Sequence, residues 1–273
     1  MARSLYFVLI MSLLSCSGLK NSKEEKRAEI YFAQGTRSLI KKDFTNALIN
    51  LKKAKELSPR RSDIFNNLGM AYYFKGKKKT AASNIKRAIQ LDSKNTEARS
   101  NLASIYVEAN KLKSARKLYI QILDDLTYKK QDQTYYNLGV IDLKVKNTRR
   151  AMSYFKKSVS KNQFNCNAHF QLGTHYLKAN HLQEAKKHFA EGSDGPCFKM
   201  QASHYYLGLT NMKLGNYERA YKDFSLFTKR FPKSKYVNLA KRKIASMNQP
   251  ASKSEDTFEN VIYSRKNGLI EFE

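Results

Sequence analysis

Tryptophan is missing altogether, and 273 residues hold only four prolines and eleven glycines. So few chain breakers disfavour a collagen-like or linker-like polypeptide. No apolar run reaches the roughly 20 residues that a membrane-crossing helix requires. The Gly-x-Gly-x-x-Gly, Gly-x-Ser-x-Gly, His-Glu-x-x-His and EF-hand patterns are absent. Gly69 and Gly76-Lys77 superficially suggest a phosphate loop, but the spacing between the glycines is too long. No acid, base or nucleophile set converges, so no enzymatic activity and no cofactor are expected. Acidic side chains are scarce as well: 23 Asp and Glu stand against 51 Lys and Arg, a formal charge of +28. That charge favours solubility and attracts anionic surfaces over roughly 8–10 Å at physiological salt, without selecting one.

What is present suits helices. The chain is 41% hydrophobic, enough for a substantial core, and is rich in Lys, Leu, Ala, Asn and Tyr. Its amino end has a different character. Arg3 supplies a small positive region, and Leu5–Leu14 is apolar except for Ser12. That is the length of a signal-peptide hydrophobic segment. Leu13-Leu14-Ser15-Cys16 follows and resembles the bacterial lipobox, in which the cysteine is lipidated and becomes the first mature residue. Residues 1–15 therefore read as a lipoprotein signal peptide and 16–27 as a polar tether. Loss of Arg3 would leave a charge of +27 on the processed chain. By the same resemblance, Ser17 in place of Asp implies the outer membrane, with the chain facing the periplasm. Several acyl chains, at about 0.8 kcal/mol per buried methylene, would anchor it almost irreversibly. Export separates the chain from nucleic acid, so no nucleic-acid partner is expected.

The rest of the sequence repeats. Small residues fall at Gly35, Gly69, Ala103, Gly139, Gly173 and Gly208, in steps of 34, 34, 36, 34 and 35. A second small residue stands twelve positions later each time, at Ala47, Ala81, Ala115, Ala151, Ala185 and Ala220. A fixed period of this length marks a stacked repeat architecture. Two helices cross closely only where a side chain is tiny, and neighbouring Leu, Tyr and Phe fill the remaining space.

The second copy, with Phe65, Leu68, Gly69, Tyr72, Ala81, Ile85 and Ala88, resembles the tetratricopeptide repeat. So does the last, with Leu207, Gly208, Ala220, Phe224, Phe227 and Pro232. The resemblance covers residues 28–234. It implies an all-α fold: a right-handed superhelical solenoid of about six helix-turn-helix repeats. An amphipathic segment, Tyr236–Met247, is expected to cap it, giving an array over 28–248. Residues 249–273 carry a net charge of −2 and read as a flexible tail.

In that family the first helix of each pair lines a concave, partner-binding surface. Carried over residue by residue, the first half of the chain supplies Phe32, Met70, Tyr73, Phe74 and Val107. The second half supplies Tyr136, Val140, Leu143, Phe170, Leu177, Tyr205, Leu209 and Met212. An apolar, aromatic face edged with lysine suits an extended peptide or an amphipathic helix. Asn67, Asn101 and Asn137 recur one residue before Leu, placed to hold a ligand backbone.

Two further constellations stand in the fifth repeat. Cys166 opens its first helix and Cys197 follows its second, so an antiparallel pair brings both to one end. A disulfide and two free thiols both remain open. All five histidines lie between His169 and His204. His169 and His204 occupy a packing position, and His175, His181 and His188 lack a metal-ligand spacing along one helical face. The histidines are therefore expected to be structural and no metal is expected; a site of Cys166, His169 and Cys197 is the competing reading.

The lipobox, the six repeats and Phe231-Pro232-Lys233-Ser234 before the cap together resemble the type IV pilus biogenesis pilotin family (PilF/PilW). That resemblance implies an outer-membrane adaptor whose groove grips a segment of the secretin pore. A cell-envelope scaffold recruiting cell-wall enzymes or outer-membrane assembly factors, with its charge near anionic cell-wall polymer, is the alternative.

Overall fold

A computed structural model of the chain describes residues 23–247. Residues 1–22, with the expected signal segment and Cys16, and residues 248–273, with the expected tail, lie outside the described residues. Among the described residues there are thirteen α-helices, one 3₁₀ turn and no strand. The first helix, α1, is helical over 23–40. It includes 23–27, where a polar tether is expected: Glu24, Glu25, Lys26 and Arg27 are good helix formers, and Ala28 is fully buried one turn on.

The helices pair in chain order. In the first of two compact units, which ends at Tyr128, α1 pairs with α2 (Phe44–Leu57). There α3 (Ser62–Phe74) pairs with α4 (Lys78–Leu91), and α5 (Thr96–Glu108) with α6 (Leu112–Leu123). The second unit starts at Lys129. Its pairs are α7 (Gln131–Lys144) with α8 (Thr148–Lys161), α9 (Cys166–Lys178) with α10 (Leu182–Glu191), and α11 (Gln201–Lys213) with α12 (Tyr217–Arg230). Helix α13 (Val237–Met247) then covers α12.

The periodic small residues explain each pairing. Every second helix buries a stripe at i and i+4, continued to i+7 in all but α10, for example Ala81, Ile85 and Ala88 in α4 and Ala220, Phe224 and Phe227 in α12. The large middle residue sits under the small residue of the first helix, sixteen positions earlier. A Cβ added at Gly139 would lie 2.5 Å from Phe155 Cε1, and one at Gly208 would lie 2.9 Å from Phe224 Cε1. Gly35, Gly69 and Gly173 face Leu51, Ile85 and Phe189 in the same way. The third hairpin tolerates Ala103 in this position, and fully buried Tyr119 bonds its hydroxyl to Ser104 Oγ at 2.8 Å.

Each hairpin turn uses one backbone device. The residue seven positions after the small one takes positive φ: Lys42, Gly76, Asn110, Lys146, Asn180 and Gly215, between 55° and 77°. In the fourth hairpin Lys146 N–H bonds Leu143 C=O and Asn147 N–H bonds Asp142 C=O, the two bonds of a Schellman ending. Asparagine or aspartate then starts several of the following helices. Asp43, Asn95, Asn147 and Asn165 accept the N–H three residues on, at 2.8–3.2 Å. The second unit is the more aromatic: Phe170, Phe189, Tyr205, Tyr206, Phe224 and Phe227 share one buried cluster with Val237 and Ala240 of the cap.

Candidate partner-binding surfaces

In the first unit, the first helices of successive hairpins are tied by side chains on one face. Asn67 Nδ2 donates to Thr36 Oγ1 at 2.9 Å, Asn66 Nδ2 to Asn67 Oδ1 at 3.3 Å, and Asn101 Nδ2 to Asn66 Oδ1 at 2.9 Å. Asn67 and Asn101, expected to hold a guest's backbone, thus direct these amides to neighbouring helices. Arg61 lies 4.7 Å over the Phe32 ring and pairs with Glu29 at 2.6 Å, so Phe32 is half covered. Met70, Tyr73 and Val107 are likewise part-exposed.

The end of this face near the hairpin turns is different. Ile40 is 78% exposed and Phe74 51% exposed, and both occupy the position just after the twelfth of their repeats. Phe74 stacks on Phe44 with ring centroids 4.8 Å apart and meets Tyr73 edge-on at 5.3 Å. Tyr73 bonds Glu108, and Lys78 pairs with Glu108 at 2.8 Å. Burial works against the Glu108 carboxylate, yet Lys78 and Tyr73 outweigh it and hold its pKa below the usual value. Burial and then Glu108 raise the Tyr73 phenol. The result is an aromatic shelf with an ordered acid–base rim.

The second unit corrects the expected surface. Val140, Phe170, Leu177, Tyr205 and Leu209 are each less than 9% exposed, so they cannot meet a guest. Their size is the reason. Phe170 packs on Phe189 at 6.0 Å and on Tyr206 of the next first helix at 5.6 Å. Tyr205 stacks on Tyr236 at 5.1 Å and tilts against Phe224 at 5.7 Å. Aromatic residues at these positions fill the seam between hairpins. Tyr136, Leu143 and Met212 remain part-exposed. Tyr136 packs on Phe155 at 5.6 Å, and burial pushes its phenol up to about 12 despite a hydrogen bond with Gln171.

In this unit Arg149, Lys156 and Lys157 also line an open depression with Thr148, Met152, Ser153, Ser160 and His175. Burial, followed by Lys156, lowers the pKa of His175.

Cys166 at the start of α9 and Cys197 in the 3₁₀ turn are joined by a disulfide, with Cα atoms 5.4 Å apart. Both sulfurs are consumed, which removes the metal reading of Cys166, His169 and Cys197. Beside the bridge, His169 of α9 meets His188 of α10, Nδ1 to Nδ1, at 3.1 Å. Tyr176 stacks on the His188 ring at 5.5 Å. Burial, then His169, Lys187 and Lys156, push the His188 imidazole down to about 4. Spacing within one helix hid this pair, because it forms across the hairpin.

The comparisons agree with the repeat pattern. Family models described as tetratricopeptide repeat match residues 75–138, 132–163 and 202–234. No curated protein matches the chain. Among solved structures, PilF of Pseudomonas aeruginosa is similar at 18% identity and TM-score 0.70, over 81% of this chain and 99% of that one. PilW, described as a widely conserved type IV pilus biogenesis factor, is similar at 18% identity and TM-score 0.66, over 78% of this chain and 97% of that one. YrrB, described as a TPR protein with an unusual peptide-binding site, is similar at 21% identity and TM-score 0.50, over 70% of this chain and 97% of that one.

Proposed function

Given that the chain is a tetratricopeptide-repeat protein resembling PilF and PilW in fold, we propose that it is a lipid-anchored binding adaptor of type IV pilus assembly. Cys16 carries the lipid, the outer membrane is its address, and the array faces the periplasm. The partner is a segment of the secretin pore. The observation that carries the binding role is the aromatic shelf of Phe44, Phe74 and Tyr73, with Ile40 exposed at the same register of the preceding repeat. Exposed apolar side chains gathered at one end of a repeat face mark an interaction surface, and aromatic anchors dominate binding energy. Flanking Lys75, whose Nζ lies 3.3 Å from Thr45 Oγ1, favours a guest with an acidic residue beside its apolar anchor.

Deleting the gene is expected to deplete secretin multimers and surface pili. Re-expressing the Phe74→Ala chain should restore little of either, while the wild-type chain restores both. Cys16→Ala should release the chain from the membrane fraction. Normal multimers in the deletion strain would refute the pilus assignment.

The basic depression around Arg149, Lys156 and Lys157 supports a second reading, a scaffold resting on anionic cell-wall polymer. In that case, sedimentation with purified wall should fall when these three residues are neutralised.

A further inference from the structure

Three ligand-type atoms from three residues converge at one end of the fifth hairpin. His169 Nδ1 lies 3.1 Å from His188 Nδ1 and 3.1 Å from Glu191 Oε2, and His188 Nδ1 lies 3.5 Å from the same oxygen. His169 comes from α9, while His188 and Glu191 stand i, i+3 on α10.

The hydrogen-bond inventory makes this triangle unusual. His169 Nε2 is 3.0 Å from the Gln163 carbonyl. A carbonyl only accepts, so Nε2 carries the hydrogen and donates. In the neutral ring, Nδ1 then presents a lone pair to both neighbours. Glu191 Oε2 is also an acceptor. With both imidazoles neutral and the carboxylate ionised, a proton on His188 Nδ1 leaves the edge from His169 to Glu191 as two facing lone pairs. A single cation at the centre satisfies all three edges.

Size supports the same assignment. Ligands at about 2.0–2.1 Å around a tetrahedral zinc are separated from one another by about 3.3–3.4 Å. The observed edges, 3.1, 3.1 and 3.5 Å, bracket that value. The bond from Nε2 to a backbone carbonyl is the outer-shell contact that fixes a metal-binding imidazole. Glu191 is 41% exposed while His169 is buried, so an ion can enter from the carboxylate side and retain a water there. The ring of Tyr176 holds His188 in orientation. Gly192 lets the end of α10 approach: an added Cβ would stand 3.2 Å from His169 Cβ. The disulfide closes the same end of the hairpin.

We propose that His169 Nδ1, His188 Nδ1 and Glu191 Oε2 bind one divalent transition metal, zinc by its chemistry, with the fourth position open to solvent. Two imidazoles and one carboxylate suit zinc rather than calcium or magnesium, which need mostly oxygen ligands. The ion would bridge α9 to α10 one helical turn before the point where Gly173 seats Phe189.

The test uses the full, untagged chain in detergent, stripped with a chelator and kept oxidised. Equilibrium dialysis against zinc chloride, followed by elemental analysis, is expected to give one zinc per chain and a higher thermal midpoint. Cobalt should give the intense visible bands of a tetrahedral site without thiolate charge-transfer bands. His188→Gln and Glu191→Gln should each weaken zinc binding at least about tenfold, while His175→Ala should leave it unchanged. Far-UV circular dichroism checks each fold, and if His188→Gln unfolds, Glu191→Gln alone decides. Less than one equivalent bound, or undiminished binding in Glu191→Gln, overturns the proposal. None of these readouts depends on the pilus assignment.

Discussion

At the scale of single residues, two positions of the repeat set opposite expectations. Gly139 stands where any Cβ would meet the Phe155 ring at 2.5 Å. Phe155 is fully buried and cannot swing away, so Gly139→Ala should overpack the crossing. The expected loss is about 1–3 kcal/mol, read as a lower urea midpoint with the fold retained. Lys146 is the reverse case, since it holds φ at +60°, a region that costs an ordinary residue roughly 1–2 kcal/mol. Lys146→Gly relieves that strain and loses part of the gain to the freer unfolded chain. A net stabilisation of up to about 1 kcal/mol is expected, and an unchanged or lower midpoint would count against the strain argument. These residues also show how legible the sequence was. The seat glycines stood out because Gly recurs there. The positive-φ position was half hidden, because Lys42 and Lys146 occupy it where Gly76 and Gly215 would have announced a turn.

At the scale of elements, the pairing of helices was readable from the spacing of small residues and the exposure of their faces was not. Phe170 and Tyr205 stand in the register of guest-binding positions, but their rings reach across to α10, α11, α12 and the cap. Register gives the direction of a side chain; its volume and its neighbour decide whether solvent reaches it. Asn67 and Asn101 show the same lesson in polar form, since a residue of the adjacent helix uses an amide that a lone repeat would leave free. The disulfide belongs to this scale too. It closes a loop with a sequence separation of 31, for which the chain-entropy model gives about 3–4 kcal/mol. Reduction, or Cys166→Ser with Cys197→Ser, should lower the stability of the second unit by that order, read as a lower unfolding midpoint. Hydrogen exchange in α9 and α10, compared with α3 and α4, would check that the loss is local.

At the scale of the whole molecule, buried phenols tie stability to alkaline pH. Burial raises Tyr119, Tyr136, Tyr205, Tyr206 and Tyr236. A raised pKa means that the unfolded chain ionises first. The stabilisation is complete below pH 10, the ordinary tyrosine value, and falls as pH rises through about 12 for Tyr136. Urea midpoints should therefore decline above pH 10, by up to about 1.4 kcal/mol per pH unit for each such tyrosine. The decline should be shallower in Tyr136→Phe; an identical slope would mean that Tyr136 ionises freely in the folded chain.

The repeat period also carries information about where the chain can be handled. Its widest step, 36 residues from Ala103 to Gly139, includes the segment 124–130 between α6 and α7, and the boundary of the two compact units falls there. Leu126 in that segment is 87% exposed. The longer step lies between hairpins and interrupts none, so an epitope, a dye or a protease site spliced at Leu126 should disturb no glycine seat. The irregularity in the period thus supplies an address for labelling the chain while both cores stay as built.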